Sequence, residues 1–262
     1  MRHHPDDLFR TPDGLPRVVA GVAVYSAAPR LAELAARIGF DTVWIEIEHG
    51  PSGFDEAEHI CMALEAAGAT GTIRVPDAQR CHILRALETG AGIVIVPMVD
   101  DAETAARIVA FGKFPPLGRR GFNARSRGVG YGLAPVAEAF AAANRRTHLI
   151  AQIETVEAVA SLEAICAVEG LSGILIGPGD LSMSLGCGGD LAAPELIRTA
   201  CDCIRRARAA GRHAGILTGP GPLLDAALEA GCDLVFAGGD VTNLIDPWRD
   251  VLAGLRQRVS HA

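Results

Sequence analysis

Two carboxylates follow strand-like runs in the middle of the chain. Glu154 comes directly after the apolar run His148–Ile153. Asp180 closes a Gly-Pro-Gly-Asp turn after the apolar run Gly173–Ile176. Residues 156–168 between them carry apolar side chains at helical spacing, which is typical of a helix that connects two parallel strands. Because that connection is right-handed, both strands emerge at one edge of the sheet, and we predict that Glu154 and Asp180 are neighbours there.

A pair of carboxylates at a sheet edge is a ligand set for a hard divalent cation. No thiolate or histidine cluster accompanies Glu154 and Asp180, so we expect Mg²⁺, Mn²⁺ or a similar octahedral ion. Two protein ligands leave about four positions for water and a chelating substrate. The alternative is that each acid caps the N-terminus of the helix that follows it. Gly179 lets the backbone approach a ligand closely, and the turn after it could receive a substrate carboxylate.

Two other strand ends carry groups that could handle charge and protons. The planar guanidinium of Arg74 suits an enolate oxygen or a carboxylate, although it could instead be the buried partner of an interior acid. His49 exchanges protons near neutral pH and stands beside Glu46 and Glu48. Glu88, near the end of the helix before the fourth strand, could hydrogen-bond His49 and raise its basicity. The residues alone leave open whether His49 is catalytic or structural.

These residues need a scaffold that brings several strand ends together. After a polar lead over residues 1–17, eight short apolar strands alternate with amphipathic helices. The predicted strands are Val18–Val24, Thr42–Ile47, Gly71–Val75, Ile93–Pro97, His148–Ile153, Gly173–Ile176, His213–Leu217 and Asp233–Ala237. Eight strand–helix repeats predict an α/β fold, a single-domain (β/α)8 TIM barrel over residues 18–262. No Gly-x-Gly-x-x-Gly follows the first strand, which argues against a dinucleotide-binding fold.

Composition narrows the class of function. The chain has 262 residues, a formal net charge of −7 and no basic stripe interleaved with aromatic residues, so nucleic acid is not an expected partner. We find neither a membrane-length apolar run nor a signal-peptide pattern, and expect a cytoplasmic protein with no membrane partner. Seven cysteines at scattered spacings predict reduced structural thiols. The only lysine, Lys113, lies in a loop-like segment, which nearly excludes Schiff-base chemistry.

Two segments suggest contacts beyond a minimal barrel. Residues 111–144, between the fourth and fifth strands, form a long Gly- and Arg-rich connection that could attract an anionic substrate or lie against a neighbouring subunit. The last predicted helix, Leu244–Arg258, carries an apolar stripe. That stripe fits packing on a neighbouring subunit as well as it fits packing on its own barrel.

Six short motifs occur in an order that matches a known family. They are Glu-His-Gly-Pro at 48–51, Arg-Val-Pro at 74–76, Val-Pro-Met-Val at 96–99, Pro-Pro-x-Gly-x-Arg-Gly at 115–121, Gln-Ile-Glu-Thr at 152–155 and Ile-Gly-Pro-Gly-Asp-Leu-Ser at 176–182. From about residue 18 to residue 240, the chain resembles the HpcH/HpaI aldolase family. These are class II pyruvate aldolases that include the 2-keto-3-deoxy sugar acid and 4-hydroxy-2-oxoheptanedioate aldolases. Each motif alone is weak, and the six in this order are specific.

The resemblance implies a metal-dependent lyase. It makes Glu154 and Asp180 ligands of a divalent metal (Mg²⁺, Mn²⁺ or Co²⁺), with Gln152, Gly179 and Asp180 as substrate contacts. The implied reaction is reversible retro-aldol cleavage of a 2-oxo-4-hydroxy acid to an aldehyde and pyruvate, or a close 2-oxo acid such as hydroxypyruvate. The metal would chelate the carboxylate and keto oxygens as a Lewis acid.

The resemblance also assigns proton transfer and assembly. His49 matches the family's acid/base residue, and Arg74 matches the residue that stabilises the enolate. Glu88 matches the partner of the histidine, but the family's sugar-acid aldolases carry aspartate there and at Glu46. The family tends to form hexamers in which the last helix packs on a neighbouring subunit, so we expect a homo-oligomer.

Two other classes of function stay open from the sequence. A C–C lyase or mutase of the phosphoenolpyruvate or citryl-lyase type would call for further acidic ligands, a reactive cysteine loop or a basic helix for a coenzyme A tail, and we recognise none. A barrel that only binds or assembles would have lost the site, whereas Glu154, Asp180 and His49 are present.

Overall fold

The computed structural model describes residues 8–260 and contains a closed barrel of eight parallel strands. The strands are β1 Val19–Val24, β2 Thr42–Glu46, β3 Thr70–Arg74, β4 Ile93–Val96, β5 His148–Ile153, β6 Gly173–Ile176, β7 His213–Leu217 and β8 Leu234–Gly239. Each strand pairs with the next along the chain, and β8 closes the ring on β1. The predicted (β/α)8 barrel is confirmed, and the predicted strand bounds hold to within two residues.

Side chains on the strands alternate between two apolar layers. One parity fills the barrel interior, where the rings of Trp44 and Phe236 meet edge-on with centroids 5.0 Å apart. The other parity, with Val43 and Ile45 as examples, packs under the helices. Because both faces of the strands are covered, they read as nearly continuous apolar runs in the sequence. At the carboxyl end of β2 the interior parity continues into Glu46, so the barrel is apolar at its centre and polar at this end.

Helices and one 3-10 helix fill the connections. The helices are α1 Pro29–Ile38, α2 Phe54–Ala67, α3 Arg80–Glu88, α4 Ala102–Gly112, α5 Val136–Arg146, α6 Val156–Ala160, α7 Leu162–Cys166, α8 Pro178–Ser184, α9 Pro194–Ala209, α10 Pro222–Glu229 and α11 Asp240–Ser260, with the 3-10 helix at Arg127–Gly132. One prediction needs correction here. The single helix predicted over 156–168 is broken at Ser161, whose φ and ψ are −94° and 4°. The long connection 111–144 contains the 3-10 helix and most of α5.

The helix α11 differs from the others because none of its residues is buried. It begins at Asp240, whose carboxylate accepts the backbone N–H groups of Tyr25 (2.9 Å) and Ser26 (3.0 Å) and so ties the start of the helix to β1. Beyond that anchor its apolar side chains are exposed, as Trp248 and Val251 show at 67% and 71% exposure. The helix therefore does not cover its own barrel. Among residues 8–260, every helix is too short or too polar to cross a membrane.

Candidate active site

Glu46 is a buried carboxylate that organises the carboxyl end of β2. Its Oε2 accepts hydrogen bonds from Trp44 Nε1 (2.9 Å) and Arg74 Nε (2.8 Å). Its Oε1 accepts from the backbone N–H groups of Glu48 (2.7 Å) and His49 (3.0 Å). One carboxylate thus fixes an indole, a guanidinium and the turn that carries the histidine. A buried carboxylate is tolerated here because its hydrogen-bonding capacity is met by charged and polar donors.

Arg74 ends β3 directly beside Glu46 in the strand register and is 7% exposed. Its Nη2 lies 2.7 Å from Glu46 Oε2, and its Cζ lies 5.2 Å from the centroid of the Trp44 ring. Its Nη1 lies 3.0 Å from Glu48 Oε2, yet that buried oxygen makes no aligned hydrogen bond. Arg74 is therefore the partner of an interior acid on one edge of its guanidinium. The Nη1 edge is charged and held in place, and it makes no aligned hydrogen bond. Arg74 can therefore be the partner of an interior acid and still bind an enolate oxygen or a carboxylate.

His49 stands at the rim, with 66% of its side chain exposed. Its Nε2 is 3.8 Å from Glu48 Oε2. Burial raises the pKa of Glu48, and the charges of Arg74 and His49 work against that rise. The structure thus places the exposed ring of His49 beside Glu48, whose carboxylate also lies close to Arg74.

Glu154 follows β5 and is almost fully buried, at 2% exposure. Its Oε1 accepts the backbone N–H of Met98 (2.7 Å), and its Oε2 accepts from Gln152 Nε2. The alternative that Glu154 caps α6 is wrong, because Thr155 occupies the cap position and accepts the N–H of Ala158 (3.0 Å). The carboxylate of Glu154 is turned toward the barrel mouth and away from the helix that follows it.

Asp180 lies in the first turn of α8 and is exposed. The cap residue of α8 is Gly177, and no side-chain hydrogen bond caps this helix, so the capping alternative is wrong for Asp180 as well. Burial raises the pKa of Glu154, and the charge of Asp180 adds to that rise. The two acids follow adjacent parallel strands, β5 and β6, at the same end of the barrel, as the right-handed connection predicts.

Gly177 lies between the two acids in the chain, and its lack of a side chain makes room for Glu154 and Gln152. A Cβ added at Gly177 would lie 2.6 Å from Glu154 Oε2 and 3.0 Å from Gln152 Nε2, so only glycine allows these side chains their positions. Gln152 Oε1 is buried and has no hydrogen-bond partner in the described chain. Within residues 8–260 no three His, Cys, Asp or Glu side chains gather closely enough to hold a metal by themselves. Two crowded carboxylates beside an unpaired amide oxygen nevertheless suit a cation that keeps water or substrate oxygens as its other ligands.

Glu88 is the predicted site residue that the structure does not bring to the others. It ends α3 and lines a cavity of about 240 Å³ together with Arg125, Arg127 and Tyr131 from the long connection. Its charge also acts on the buried guanidinium of Arg120. In the described chain no hydrogen bond joins Glu88 to His49. The expected pairing is thus absent within one subunit, and a catalytic role for Glu88 stays a prediction.

One feature of the site was missed from the sequence. Met98, just after β4, has a φ of 53°, a left-handed conformation that is unusual for a residue other than glycine. This conformation carries its N–H onto Glu154 Oε1. The motif Val-Pro-Met-Val marks the segment but does not reveal the backbone angle.

A larger cavity of about 730 Å³, lined by Cys61, Thr147 and His148 among others, lies at the opposite end of the barrel and includes none of the predicted site residues.

Comparison with known proteins agrees with this geometry. The model of a family described as HpcH/HpaI aldolase/citrate lyase matches residues 20–247. A 2-keto-3-deoxy-L-rhamnonate aldolase of Salmonella gallinarum is 35% identical over 221 residues, which cover 84% of this chain and 82% of that protein. A hydroxypyruvate/pyruvate aldolase of Roseobacter denitrificans is 35% identical over 231 residues, covering 86% and 88%. The crystal structure of an HpcH/HpaI aldolase from Desulfitobacterium hafniense has a TM-score of 0.86 at 28% identity, covering 92% of this chain and 93% of that one.

Proposed function

This chain belongs to the HpcH/HpaI aldolase/citrate lyase family, and we propose that it catalyses reversible retro-aldol cleavage of a 2-oxo-4-hydroxy acid. The products would be an aldehyde and pyruvate, or a close 2-oxo acid such as hydroxypyruvate. Its aldolase relatives make the chain a carbon–carbon lyase that acts on small molecules, so the alternative of a barrel that only binds or assembles is set aside. The observation that carries the proposal is the convergence of Glu154, Asp180, Arg74 and His49 on one end of the barrel.

A divalent cation, Mg²⁺, Mn²⁺ or Co²⁺, fits the β5–β6 edge, where Glu154 and Asp180 would hold it. When bound, it would supply Lewis-acid polarisation of the 2-oxo acid and charge compensation for the two carboxylates. The raised pKa of Glu154 supports this assignment, because a buried carboxylate beside a second acid is relieved by a cation. Gly177 lets the side chains of Glu154 and Gln152 take these positions, and the unpaired Gln152 Oε1 would offer the substrate a polar contact. Gly179, at the start of α8, has open space around it and permits close approach of a substrate carboxylate.

The chain's own residues account for the movement of charge and protons. His49 accepts the proton of the 4-hydroxyl group as the C3–C4 bond breaks, which releases the aldehyde and leaves an enolate. The Nη1 side of Arg74, which is paired with Glu48 and not with Glu46, would stabilise the negative charge that develops on the enolate oxygen. Glu46 holds Arg74 and the turn of His49 in place before the substrate arrives. Protonation at C3 then completes pyruvate, and the reverse steps give aldol addition.

The test is metal binding together with pyruvate release. We expect wild-type protein freed of metal to bind one Mn²⁺ per chain by titration calorimetry, and to release pyruvate from 2-oxo-4-hydroxy acids when Mg²⁺, Mn²⁺ or Co²⁺ is supplied. Glu154→Gln should weaken Mn²⁺ binding at least about tenfold and lower kcat by about 10²–10³. Glu157→Gln is the matched control, since Glu157 is an exposed acid on α6. Equal Mn²⁺ binding and equal pyruvate release by wild type and Glu154→Gln would contradict the proposal.

We further propose that the chain assembles into a homo-oligomer through α11, as a hexamer by family resemblance. None of the residues of α11 is buried, and several are exposed apolar side chains. This supports an arrangement in which α11 of one subunit packs on a neighbouring subunit. Sedimentation should give a particle of six times the 27.3 kDa chain mass. Trp248→Glu should shift that particle toward smaller species, whereas a chain that sediments as a monomer before any substitution would contradict the proposal. The cytoplasmic location and the absence of nucleic-acid and membrane partners stay predictions from the sequence.

A further inference from the structure

Tyr25 lies in the same layer of the barrel as the charged groups of the site. It follows β1 on the parity that faces inward, and its ring packs against the interior apolar cluster. In the register of β1 and β2, Val24 lies beside Ile45, which places Tyr25 beside Glu46 one residue beyond the ladder. Glu46 in turn lies beside Arg74. Three adjacent strands therefore end in a tyrosine, a glutamate and an arginine at one level of the barrel.

The backbone around Tyr25 is arranged to receive its ring. A Cβ added at Gly239 on β8 would lie 2.8 Å from Tyr25 Cε2 and 3.1 Å from Cδ2, so the ring occupies the space that a side chain would take there. The N–H groups of Tyr25 and Ser26 both donate to Asp240, the residue after Gly239, which fixes the backbone that carries the ring. The position of the phenol is thus set by the junction of β8 and α11.

The phenol hydroxyl is left without a partner. In the described chain it makes no hydrogen bond, and the residue is half-buried at the carboxyl end of β1. Burial raises the pKa of Tyr25, and the negative charge of Glu46 raises it further. The hydroxyl therefore keeps its proton at neutral pH and is available as a neutral donor and acceptor.

We propose that the Tyr25 hydroxyl hydrogen-bonds an oxygen on the aldehyde-derived part of the substrate and so selects aldehydes that carry a hydroxyl group next to the carbonyl. The inference rests on the proposed function. In a ring of eight strands in chain order, β1 lies across from β5, so Tyr25 faces the acids Glu154 and Asp180 from the opposite wall. A 2-oxo acid at the acids leaves this wall to the second substrate. An apolar aldehyde would leave the hydroxyl unpaired, whereas a hydroxylated one would satisfy it.

The test separates the two substrates. Exchange of the pyruvate methyl protons with deuterated solvent, followed by NMR in the presence of Mn²⁺ or Mg²⁺, reports on the 2-oxo acid alone. Aldol addition of pyruvate to glycolaldehyde and to propanal reports on the aldehyde, because the two differ by a hydroxyl in place of a methyl group. Wild type should prefer glycolaldehyde in kcat/KM. Tyr25→Phe should keep the rate of proton exchange and lose that preference by about 3- to 10-fold.

Tyr131→Phe is the control, since Tyr131 is the only other tyrosine and lies outside the barrel on the 3-10 helix. It should keep the wild-type preference. A wild type without the preference, or a Tyr25→Phe protein that keeps both exchange and preference, would overturn the inference, as would equal loss with both aldehydes. A wild type that shows no proton exchange with either Mn²⁺ or Mg²⁺ would instead contradict the proposed function, and the inference with it.

Discussion

The two ends of the barrel treat their charged groups in opposite ways. At the amino end, Asp233 accepts from His213 Nδ1 (2.8 Å), from the N–H of Ala214 (2.9 Å) and from Arg208. The ring of Phe9 stacks on His213 with centroids 3.5 Å apart and closes that end of the interior. These charges are paired with one another, and none of the three residues lines the larger cavity at that end.

At the carboxyl end the charges are crowded and incompletely paired. Glu48 Oε2 and Gln152 Oε1 are buried without a hydrogen bond, and Glu154 feels the like charge of Asp180. Such an arrangement costs stability unless a ligand or cation completes it. Charged groups at the amino end therefore serve stability, and those at the carboxyl end serve chemistry, as is expected of a (β/α)8 barrel.

The largest effect expected from this contrast is loss of activity without loss of stability at the carboxyl end. Asp180 is exposed and makes no side-chain hydrogen bond within the described chain, so Asp180→Asn should keep the thermal midpoint of the metal-free protein or raise it slightly by removing a like charge from Glu154. It should lower kcat for pyruvate release by about 10²–10³. Asp202→Asn, at an exposed ion pair on α9, is the control. A fall in the thermal midpoint of several degrees, with activity retained, would reverse the assignment of the two ends.

A smaller effect is expected at the amino end, where the one lysine of the chain is a structural group. Lys113 is buried, and its Nζ donates to the carbonyl oxygens of Asn144 (2.7 Å) and Thr147 ahead of β5. Burial lowers the pKa of Lys113 to about 8. Between that value and the unfolded pKa of about 10.4, the unfolded state binds more protons, so folding stability rises with pH across this window.

The measurement for Lys113 is urea unfolding of wild type and Lys113→Met at pH 8 and pH 10. From pH 8 to pH 10 the free energy of unfolding of wild type should rise by about 2 kcal/mol relative to that of Lys113→Met. The reason is that Lys113 in the folded wild type is deprotonated over this interval, so its buried charge no longer destabilises the fold. The kcat of Lys113→Met should equal that of wild type at 25 °C. Parallel pH profiles of the two proteins would show that Lys113 stays charged in the fold, and a fall in kcat would place it in the chemistry.

The sequence predicts the barrel and most of the candidate site because both depend on local patterns. Strand runs end in acids, and the handedness of a strand–helix–strand unit makes Glu154 and Asp180 neighbours over a separation of 26 residues in the chain. What it does not predict depends on contacts between elements far apart in the chain. The hydrogen bond from Arg74 on β3 to Glu46 on β2 is of this kind, and so is the separate position of Glu88.

The helix α11 shows a different limit of sequence reasoning. An apolar stripe looks the same whether it will face its own barrel or another copy, so its exposure could not be predicted from the pattern.

The left-handed backbone of Met98 is another feature that the sequence does not predict, because the residue type argues against the conformation it adopts. Both features are decided by the packed structure and not by local preference.

The smallest expected effect concerns that strained residue at the carboxyl end. Met98 holds a positive φ while its N–H donates to Glu154, so backbone strain is stored where the acid is oriented. Met98→Gly adopts this φ freely and should raise the free energy of unfolding by up to about 1 kcal/mol, with unchanged Mn²⁺ affinity. Met98→Val, which resists positive φ, should lower stability by about 1 kcal/mol or more and weaken Mn²⁺ binding about tenfold. Equal Mn²⁺ affinity in the two variants would show that the hydrogen bond from Met98 does not orient Glu154, and the strain would then belong to the loop alone.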